Sequence, residues 1–475
     1  MASWNDEQRK QKISLDKQIQ GTCHWKEAMH TPGAKEGPSS RTTQANELIR
    51  REDQERLMER VVQRDNLKMA LRRVEKNDGA PGIDGTLASC LRKLLATSWA
   101  STREQLLNGT YKPQAVRRVE IPKPDGGVRL LGIPTVQDRF IQQAVLQVLT
   151  PIWDPTFSTF SYGFRPGRNA HMAVRKAQEY ISQGCRHVVD IDLEKFFDRV
   201  NHDILMAKVV SKIQDKRILC LIRRYLQAGV MINGCCVCTE EGTPQGGPLS
   251  PLLANIMLHE LDEELEARGH NFARYADDCN IYVKSKRAAE RVLGSVKAFV
   301  GKRLKLKVND QKSAADRPWN RKFLGFSFTK AYTTIVRIAP KSIERFKDRV
   351  RVLTSRSRSQ SMEARVERLS AYLNGWMGYF SIARTRTVFD GLDGWIRRRM
   401  RMCYLKQWKR PKTKWQNLKA RGLSREWAAR ISGSRKGYWR LSKTHQMSKA
   451  LGIDYWQKKG LVSLVAKYDT IWGAL

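Results

Sequence analysis

The sequence has 475 residues, 41% of them hydrophobic, and carries a formal charge of +40 at pH 7 with a pI near 10.2. This length predicts about two to four domains, and no apolar run of about 18 residues indicates a membrane span. The charge favours a polyanionic partner, most simply nucleic acid. An anionic membrane surface is the weaker alternative, because the basic residues are not confined to one amphipathic helix.

Nine cysteines lack the regular spacing of a disulfide framework, and the N-terminus has no apolar segment of the secretory kind. We therefore expect free thiols in a reducing, intracellular compartment. Cys235, Cys236 and Cys238 are close enough in sequence to ligate a metal, but no second Cys or His pair has zinc spacing. We interpret this cluster as packing within a strand or turn.

The N-terminal part combines a polar segment with a helix and a loop. Residues 1–50 are polar and contain Gly and Pro pairs, which predicts a loosely held arm. Apolar residues at helical spacing predict a helix over residues 55–74. The Gly-rich, acidic loop 77–85 is a poor phosphate cradle, and we interpret it as structural.

Residues 116–134 predict a β-hairpin. Asp125 and a following glycine stand between two alternating runs, which is a strong hairpin signal. The basic side chains of Lys123 and Arg129 lie near its tip. A helix is predicted next, over about residues 136–149.

A β-branched run at residues 187–191 contains one acid and is followed directly by another. Asp190 and Asp192 would share one face of a strand. Acids in such a run are unfavourable unless they face solvent or a metal, and the spacing leaves both readings open. The run ends at a turn that leads into a helix beginning near His202.

The segment 242–251 (GTPQGGPLSP) precedes an apolar helix predicted over residues 252–261. Gly246 and Gly247 allow the main chain to approach another body closely, and the Ser-Pro pair is a helix-start signal. An ordinary tight turn and a binding loop explain these residues equally well.

Residues 272–283 consist of two short aromatic and β-branched runs around two adjacent acids. This pattern predicts a hairpin whose two-residue turn is Asp277-Asp278. Neighbouring carboxylates repel each other, and either solvent or a divalent cation such as Mg²⁺ would offset the charge. The turn alone does not decide between them, because Asp is common in turns.

The next segments alternate between helix and strand. A helix is predicted over residues 286–302, then a strand at 304–308 that runs into a basic turn containing Lys312. A strand pair is predicted at 322–328. A helix between short strands indicates an α+β layer.

From residue 340 the apolar residues recur in three stripes, which predict three helices. The stripes are Ile343, Phe346, Val350 and Leu353; Val366, Leu369, Leu373 and Trp376; and Leu392, Trp395, Arg399 and Cys403.

Residues 396–475 contain 21 Lys or Arg against 3 Asp or Glu, interleaved with tryptophans. Basic residues among aromatics suit backbone contact and base stacking on RNA, whereas a solvated helical face over buried tryptophans is the alternative. We expect the tryptophans to be mostly core and the charge to be functional. The tryptophans are Trp408, Trp415, Trp427, Trp439 and Trp456.

In this order the acidic and Gly-rich motifs resemble the palm motifs of reverse transcriptases. Residues 275–278 (YADD) resemble the signature box of that family, and residues 192–197 (DLEKFF) resemble its first catalytic motif. The motif's spacing from acid to aromatic selects Asp192, with Phe197, over Asp190.

Other motifs narrow the resemblance to group II intron-encoded reverse transcriptases and maturases. Residues 244–251, residues 161–168 (SYGFRPGR), Arg274 and residues 323–326 (FLGF) are close to the forms found there. Residues 373–380 (LNGWMGYF) resemble the maturase-specific region. The resemblance extends over about residues 55–475, and several motifs in the right order make it specific.

The resemblance implies nucleotidyl transfer with two Mg²⁺ ions, for which Mn²⁺ is an alternative. By resemblance, Asp192 and Asp277 bridge the ions and Asp278 is a weaker or outer ligand. The Leu193 carbonyl completes the coordination of the nucleotide-side ion.

The resemblance also implies a nucleotide site. Lys123 and Arg129 correspond to the positions that clamp the triphosphate, and Phe197 would stand under the sugar and exclude a 2′-hydroxyl. Gln245 would help to hold the incoming nucleotide and template, and Lys312 is a candidate proton donor to pyrophosphate.

The implied fold is α+β, a right-hand polymerase with fingers, a palm with an antiparallel sheet and a helical thumb, plus a small basic C-terminal helical domain. The expected segments are a flexible polar arm (1–50), an N-terminal extension with fingers (51–150), a palm with the catalytic site (151–335), a three-helix thumb and maturase region (336–408) and a basic DNA- and RNA-binding domain (409–475).

The implied function is RNA-directed DNA synthesis from a primer, together with binding of intron RNA for splicing and retromobility. The implied partners are an RNA template and primer strand, group II intron RNA, target DNA and dNTPs, and no membrane is expected among them. The implied location is the bacterial cytoplasm or the nucleoid. One alternative is an RNA-binding splicing cofactor with vestigial polymerase activity, against which the intact acidic set argues. Another is a domesticated reverse transcriptase in DNA repair or phage defence, which the protein sequence does not separate from the first reading.

Many members of the family end in a DNA endonuclease domain with paired cysteines and histidines. Beyond residue 380 this sequence has only Cys403 and His445. We therefore expect that domain to be absent, so an integrating element would need a primer from elsewhere, such as a nascent strand at a replication fork.

Overall fold

The computed structural model describes residues 55–122, 126–232, 235–237, 241–242, 246–331 and 333–473. The described chain is a mixed α+β protein that divides into two compact units, the first ending at Arg317 and the second beginning at Pro318. The predicted N-terminal arm lies outside the described residues. The five segments expected from the sequence are finer than this division, and their boundaries stay predictions.

One sheet of the first unit has the strand order β2-β1-β4-β5. Its strands are β1 (Val116–Pro122), β2 (Val128–Ile133), β4 (Val230–Ile232) and β5 (Cys235–Val237). The predicted hairpin is confirmed, since β1 and β2 are antiparallel neighbours, and β4 lies parallel to β1. The first two cysteines of the cluster lie in β5, as the strand reading predicts.

The second sheet carries the acids and has the strand order β6-β7-β3-β8. Its strands are β3 (His187–Ile191), β6 (Asn271–Tyr275), β7 (Asp278–Val283) and β8 (Ala314–Asp316). All neighbouring strands are antiparallel, with β3 between β7 and β8. Val188, Val189 and Ile191 of β3 are fully buried, so apolar packing fixes this central strand.

The acidic hairpin is confirmed, but its turn comes one residue earlier than predicted. Tyr275 pairs with Asp278, so the turn is Ala276-Asp277 and Asp278 begins β7. Ala276 has a φ of +57°, a left-handed conformation that costs a non-glycine residue about 1–2 kcal/mol. The preference of Asp for turns would place both aspartates in the turn, yet the observed turn begins at Ala276 despite this cost. That preference therefore does not determine the pairing register of the hairpin.

The strand predicted at residues 304–308 is wrong. Leu304, Leu306 and Val308 are buried, as the alternation requires, and Val308 forms an isolated bridge with Leu193. The regular strand of this region is β8, further along the chain. Leu304 still has helical angles and Lys305 has a φ of +53°, so the segment is not an extended strand although its alternate residues are buried. The pattern therefore reported burial rather than pairing.

Helices make up most of the rest of the described first unit. They are α1 (Leu57–Val61), α2 (Arg64–Asn77), α3 (Leu91–Leu107), α4 (Val136–Trp153), α5 (Ala170–Ser182), α6 (His202–Val210), α7 (Lys216–Gln227), α8 (Ser250–Ala267) and α9 (Lys286–Arg303). The helices predicted near residues 136–149, 202, 252–261 and 286–302 are confirmed as α4, α6, α8 and α9.

The single helix predicted over residues 55–74 is instead two helices, α1 and α2. The chain is extended at Gln63, with a ψ of +138°. The buried side chain of Asn66 donates from Nδ2 to the carbonyl of Val61 over 2.9 Å and to that of Ala144 over 3.1 Å. Asn66 thus provides a hydrogen bond for the end of α1 that a continuous helix would not need.

The second unit is mainly helical. Its helices are α10 (Pro340–Leu353), α11 (Met362–Phe380), α12 (Arg386–Gln407), α13 (Pro411–Lys419), α14 (Arg425–Ser432), α15 (Tyr438–Leu441), α16 (His445–Ala450), α17 (Ile453–Lys458) and α18 (Leu464–Gly473). The three helices predicted from the apolar stripes are confirmed as α10, α11 and α12.

A two-stranded sheet precedes these helices. It consists of β9 (Phe326–Phe328) and β10 (Val336–Ile338), which are antiparallel. The prediction placed both strands of a pair within residues 322–328. β9 lies in this segment, but its partner β10 comes later in the chain. Within the described ranges, none of the helices in either unit has the length and apolar character needed to cross a bilayer.

Candidate active site

The acids meet at one end of the second sheet. Ile191, the last residue of β3, is paired with Cys279 in β7, so Asp192 emerges beside Asp278 and the β6–β7 turn. The Asp192 side chain is 30% exposed, and the Lys312 ammonium lies 3.6 Å from its Oδ2. Residues from three distant parts of the sequence are thereby brought together.

The main chain of Asp192 is held by the segment that contains Lys312. Its N–H donates to Ser313 Oγ over 2.9 Å, and its carbonyl accepts from the Asn309 N–H over 2.8 Å. The predicted basic turn therefore lies directly beside the acid, although the strand expected before it does not form.

Leu193 is buried and bridges to Val308. The hydrogen bonds of this bridge are made by its neighbours, from Asn309 N–H to the Asp192 carbonyl and from Glu194 N–H to the Lys307 carbonyl. In an antiparallel pair of this type the polar groups of the central residue face away from the partner. The Leu193 carbonyl is thus directed away from residues 307–309, which is compatible with its expected role as a ligand.

Asp277 lies in the turn and is largely buried. Burial raises the pKa of its carboxyl above the ordinary value and the charge of Asp192 raises it further, whereas Arg129 and Arg274 act in the opposite direction. Asp192, Asp277 and Arg129 are therefore close enough to interact electrostatically. Arg129 is exposed on β2 and is paired with Ile121.

Asp278 and Asp190 differ in their surroundings. Asp278 is exposed at the start of β7. Asp190 is opposite Asn280 in the sheet, and with its amide nitrogen facing Asp190, Asn280 donates to Oδ1 over 3.1 Å. Asp190 thus makes a cross-strand hydrogen bond. Its spacing in the sequence had not decided whether this acid faces solvent or a metal.

Phe197 is half-buried in a short 3₁₀ turn after Asp192. Its ring packs edge-on against Phe196, with 5.1 Å between centroids. Gly242 lies directly behind this turn: its N–H donates to the Val200 carbonyl over 2.8 Å, and a Cβ on it would lie 2.9 Å from the Phe197 carbonyl oxygen. The start of the 242–251 loop is therefore packed against the motif that carries Asp192.

The two central glycines of this loop approach other parts of the first unit. A Cβ on Gly246, whose φ is +131°, would lie 2.7 Å from the carbonyl oxygen of Gly132 at the end of β2. A Cβ on Gly247 would overlap the side chain of Gln142 in α4. Both glycines thus pack against other parts of the same chain, and the reading of this segment as a binding loop stays a prediction. Gln245 and Lys123 lie outside the described residues.

Arg274 belongs to one of the motifs of the sequence, but its role becomes clear only in the fold. Arg274 is fully buried in β6 and forms an ion pair with Asp262 of α8, which is equally buried. The sequence did contain a signal for this pair. Arg274 stands in an apolar strand and Asp262 in an apolar helix, and because buried charges are nearly always paired, each indicates that the other is its partner.

The oxygen atoms at the site suit a hard divalent cation. In the described part of the chain, no three His, Cys, Asp or Glu side chains form a metal-binding group by themselves. Asp192 and Asp277 nevertheless provide two neighbouring carboxylates, and the Leu193 carbonyl would add a main-chain oxygen. Mg²⁺ prefers such ligands and commonly takes one or two carboxylates together with water or phosphate oxygens.

A second group of interest lies in the basic helices of the second unit. Trp408 and Trp456 are buried, as expected, but Trp427 and Trp439 are 40% and 38% exposed. The expectation that the tryptophans are mostly core is wrong for this pair. The guanidinium of Arg398 lies 3.7 Å from the ring centroid of Trp439, a cation–π contact on the surface.

Comparisons with known families agree with this geometry. Residues 121–328 match the reverse transcriptase (RNA-dependent DNA polymerase) family. Residues 343–422 match the maturase-specific domain of group II introns. The first match contains both strands that flank the acidic turn, and the second contains most of helices α10 to α13.

Two curated bacterial proteins are similar over part of their length. Protein YkfC of Escherichia coli is 41% identical over 221 residues, which are 45% of this chain and 58% of that protein. The group II intron-encoded protein LtrA of Lactococcus lactis is 44% identical over 161 residues, 34% of this chain and 27% of that protein. The aligned chain thus spans little more than half of one relative and about a quarter of the other.

Among solved structures, a chain of a partial Cas6-RT-Cas1–Cas2 complex is 30% identical, with a TM-score of 0.34. The alignment covers 52% of this chain and 42% of that chain.

Proposed function

Because the chain belongs to the group II intron family of reverse transcriptases and maturases, we propose that it is an RNA-directed DNA polymerase that also binds intron RNA. The single observation that carries the proposal is the meeting of Asp192 and Asp277. Asp192 follows β3, Asp277 lies in the turn between β6 and β7, and Asp192 is next to Lys312.

Divalent-metal catalysis is implied by membership of the reverse transcriptase family. Asp192 and Asp277 would hold two Mg²⁺ ions, or Mn²⁺ in their place, with Asp278 as an outer ligand and the Leu193 carbonyl on the nucleotide side. When bound, such ions activate the attacking oxygen and stabilise the leaving oxygen of an in-line displacement.

The remaining residues act on the nucleotide. Arg129, with Lys123, clamps the triphosphate and stabilises the charge that develops on it. Phe197 excludes the 2′-hydroxyl, and Gln245 helps to hold the nucleotide and template. Lys312, whose ammonium lies 3.6 Å from Asp192, would donate a proton to the departing pyrophosphate.

We assign the two sheets of the first unit to fingers and palm, and helices α10 to α12 to the thumb. The maturase match and the charge of residues 396–475 support binding of intron RNA and target DNA by the second unit. The exposed Trp439–Arg398 pair suits stacking on an unpaired base. In this proposal the protein copies RNA from a primer and assists both splicing and retromobility of its intron.

Primer extension on an RNA template with dNTPs and Mg²⁺ tests the proposal, with Asp277→Asn beside the wild type. We expect the variant to lose about 10³-fold or more in rate, because one of the carboxylates that would hold the ions is removed, while RNA binding is retained. Normal extension by the variant would exclude Asp277 as an essential ligand. Absence of extension by both proteins, with RNA binding intact, would leave a maturase without polymerase activity.

A further inference from the structure

The turn that carries Asp277 is held by residues to which the proposed reaction assigns nothing. The guanidinium of Arg274 donates to the Asp262 carboxylate from Nε and Nη2, and to Ser161 Oγ from Nη2 over 2.8 Å. Nη1 donates to Asn255 Oδ1 over 3.0 Å and to the Ala276 carbonyl over 2.9 Å. These contacts use all five N–H donors of an arginine, so the group is fixed in one orientation.

The other side of Ala276 is held by residues near 161–163. Gly163 is so close that a Cβ on it would overlap the Ala276 main-chain nitrogen. Its carbonyl accepts from Asn255 Nδ2 over 2.9 Å. Asn255 therefore joins both contacts, because its Oδ1 receives the Arg274 hydrogen bond. The main chain before Ala276 thus contacts Gly163, which is remote in sequence, and the carbonyl after it is bound by Arg274, whose side chain is held by the remote Asp262 and Asn255.

These contacts bear on the direction of the catalytic carboxylate. Ala276 has a φ of +57°, which an alanine does not adopt without support. The carbonyl that Arg274 binds belongs to the peptide between Ala276 and Asp277. Because the orientation of that peptide sets the direction in which the Asp277 side chain leaves the main chain, a shift at Arg274 is passed to the carboxylate.

We propose that Arg274, supported by Asp262 and Asn255, is a positioning residue that keeps Ala276 left-handed and thereby directs the Asp277 carboxylate toward Asp192. The catalytic value of this arrangement rests on the proposed polymerase function. A buried pair that served the core alone would affect stability and leave the metal affinity of the folded protein unchanged.

Two variants separate these roles. Arg274→Lys keeps a positive charge for Asp262 but has only three donors on a single nitrogen. The paired replacement of Arg274→Met and Asp262→Leu removes both buried charges together, a change that often preserves folding. Arg224→Lys is the matched control, because this arginine also donates to two main-chain carbonyls of the first unit, those of Gly109 and Tyr111, away from the turn.

The measurement is Mn²⁺ binding by electron paramagnetic resonance, using the full chain on an RNA template with a dideoxy-terminated DNA primer. Asp277→Asn provides the background of Mn²⁺ bound by nucleic acid. We expect both Arg274 variants to bind Mn²⁺ about tenfold or more weakly. In parallel assays with Mg²⁺, kcat of both Arg274 variants should fall about a hundredfold. Their KM for primer–template should stay within roughly twofold of the wild-type value. Arg224→Lys should behave like the wild type in both measurements.

Unchanged Mn²⁺ affinity and kcat in either folded variant would overturn the proposal. Failure of both variants to fold would overturn it as well, because the network would then belong to the core. If the wild type itself does not extend primers, the proposed function fails, while the comparison of Mn²⁺ affinities still decides whether Arg274 positions Asp277.

Discussion

Asp277 is a largely buried carboxylate next to Asp192, and its ionisation therefore opposes folding. Its raised pKa means that the folded protein holds a proton on this group more tightly than the unfolded chain does. The associated stability is present at low pH and is lost as the pH rises through the folded-state pKa. At neutral pH the metal-free protein thus carries a destabilising charge at the position proposed to bind the metal.

Asp277→Asn should therefore stabilise the metal-free protein at neutral pH while abolishing its activity. We expect the free energy of unfolding to increase by about 1 kcal/mol. This increase should vanish at a pH below the Asp277 pKa, where the wild-type side chain is neutral too. Thermal unfolding in EDTA over a range of pH checks this, and Asp278→Asn, at an exposed position, should change the midpoint little. A lower midpoint for Asp277→Asn at neutral pH would contradict the argument.

Phe197 gives a second prediction at the scale of the residue. If its ring lies under the sugar, Phe197→Val should let ribonucleotides in by making room for the 2′-hydroxyl. The ratio of ribonucleotide to deoxyribonucleotide kcat/KM should rise about tenfold or more. Single-nucleotide additions with CTP and dCTP on one template measure the ratio. An unchanged ratio in an active variant would remove Phe197 from sugar selection.

The acids themselves were predictable from the sequence, but the register of their turn was not. Asp192 directly follows one patterned strand and Asp277 lies between two others, where acids are unusual, so both could be identified as candidates. The turn at Ala276-Asp277 depends on Gly163, which approaches it from elsewhere in the fold, and on Arg274, whose guanidinium is held by Asp262 and Asn255 of α8. Local turn preferences contain no information about such contacts.

At the scale of elements, the 242–251 loop links the motif of Asp192 to the end of β2. Gly246→Ala places a Cβ 2.7 Å from the Gly132 carbonyl oxygen, and the loop must move away from β2. Because Gln245 is adjacent, we expect a weaker fit of the nucleotide and a loss of about tenfold to a hundredfold in kcat/KM for dNTP. Steady-state extension with a single dNTP measures this kcat/KM.

Gly184→Ala is the matched control for this variant. Gly184 also has a positive φ, +93°, but a Cβ there would meet nothing within 4 Å. The substitution therefore introduces backbone strain of about 1 kcal/mol without displacing a neighbour. It should lower stability and leave kcat/KM within about twofold. Equal losses of activity in the two variants would show that strain, rather than contact with β2, is responsible.

Sequence patterns at this scale predicted helices better than strands. The stripes of α10 to α12 report a buried helical face directly, since Phe346, Leu369 and Leu392 are all core residues. The alternation at residues 304–308 reported burial equally well but not the ladder, because a strand requires a partner of matching register. Pairing partners are a property of the folded sheet and are not encoded within the segment.

At the scale of the whole molecule, the formal charge of +40 should make nucleic-acid binding strongly dependent on salt. Arg435, Lys436 and Arg440 are exposed in the basic second unit. If all three contact phosphates of single-stranded RNA, replacing them by Gln should reduce the slope of log K against log salt concentration by about 2. Fluorescence titrations at several KCl concentrations measure the slope.

Lys68→Gln provides the comparison for that triple variant. Lys68 is also exposed, but it is paired with Asp65 over 3.5 Å, so its removal should leave the slope nearly unchanged. If the triple variant keeps the wild-type slope, these three residues do not contact RNA, and the binding surface must be sought elsewhere among the basic helices.

The strand order β6-β7-β3-β8 has a consequence for synthesis of the protein on the ribosome. β3 emerges first, and its neighbour β7 follows only after α6, α7 and α8, with β8 after α9. At about 5–20 residues per second, the central strand waits for seconds without either partner. Asp192 and Asp277 thus become neighbours only after more than half of the chain has been synthesised, so the proposed site cannot assemble on shorter nascent chains.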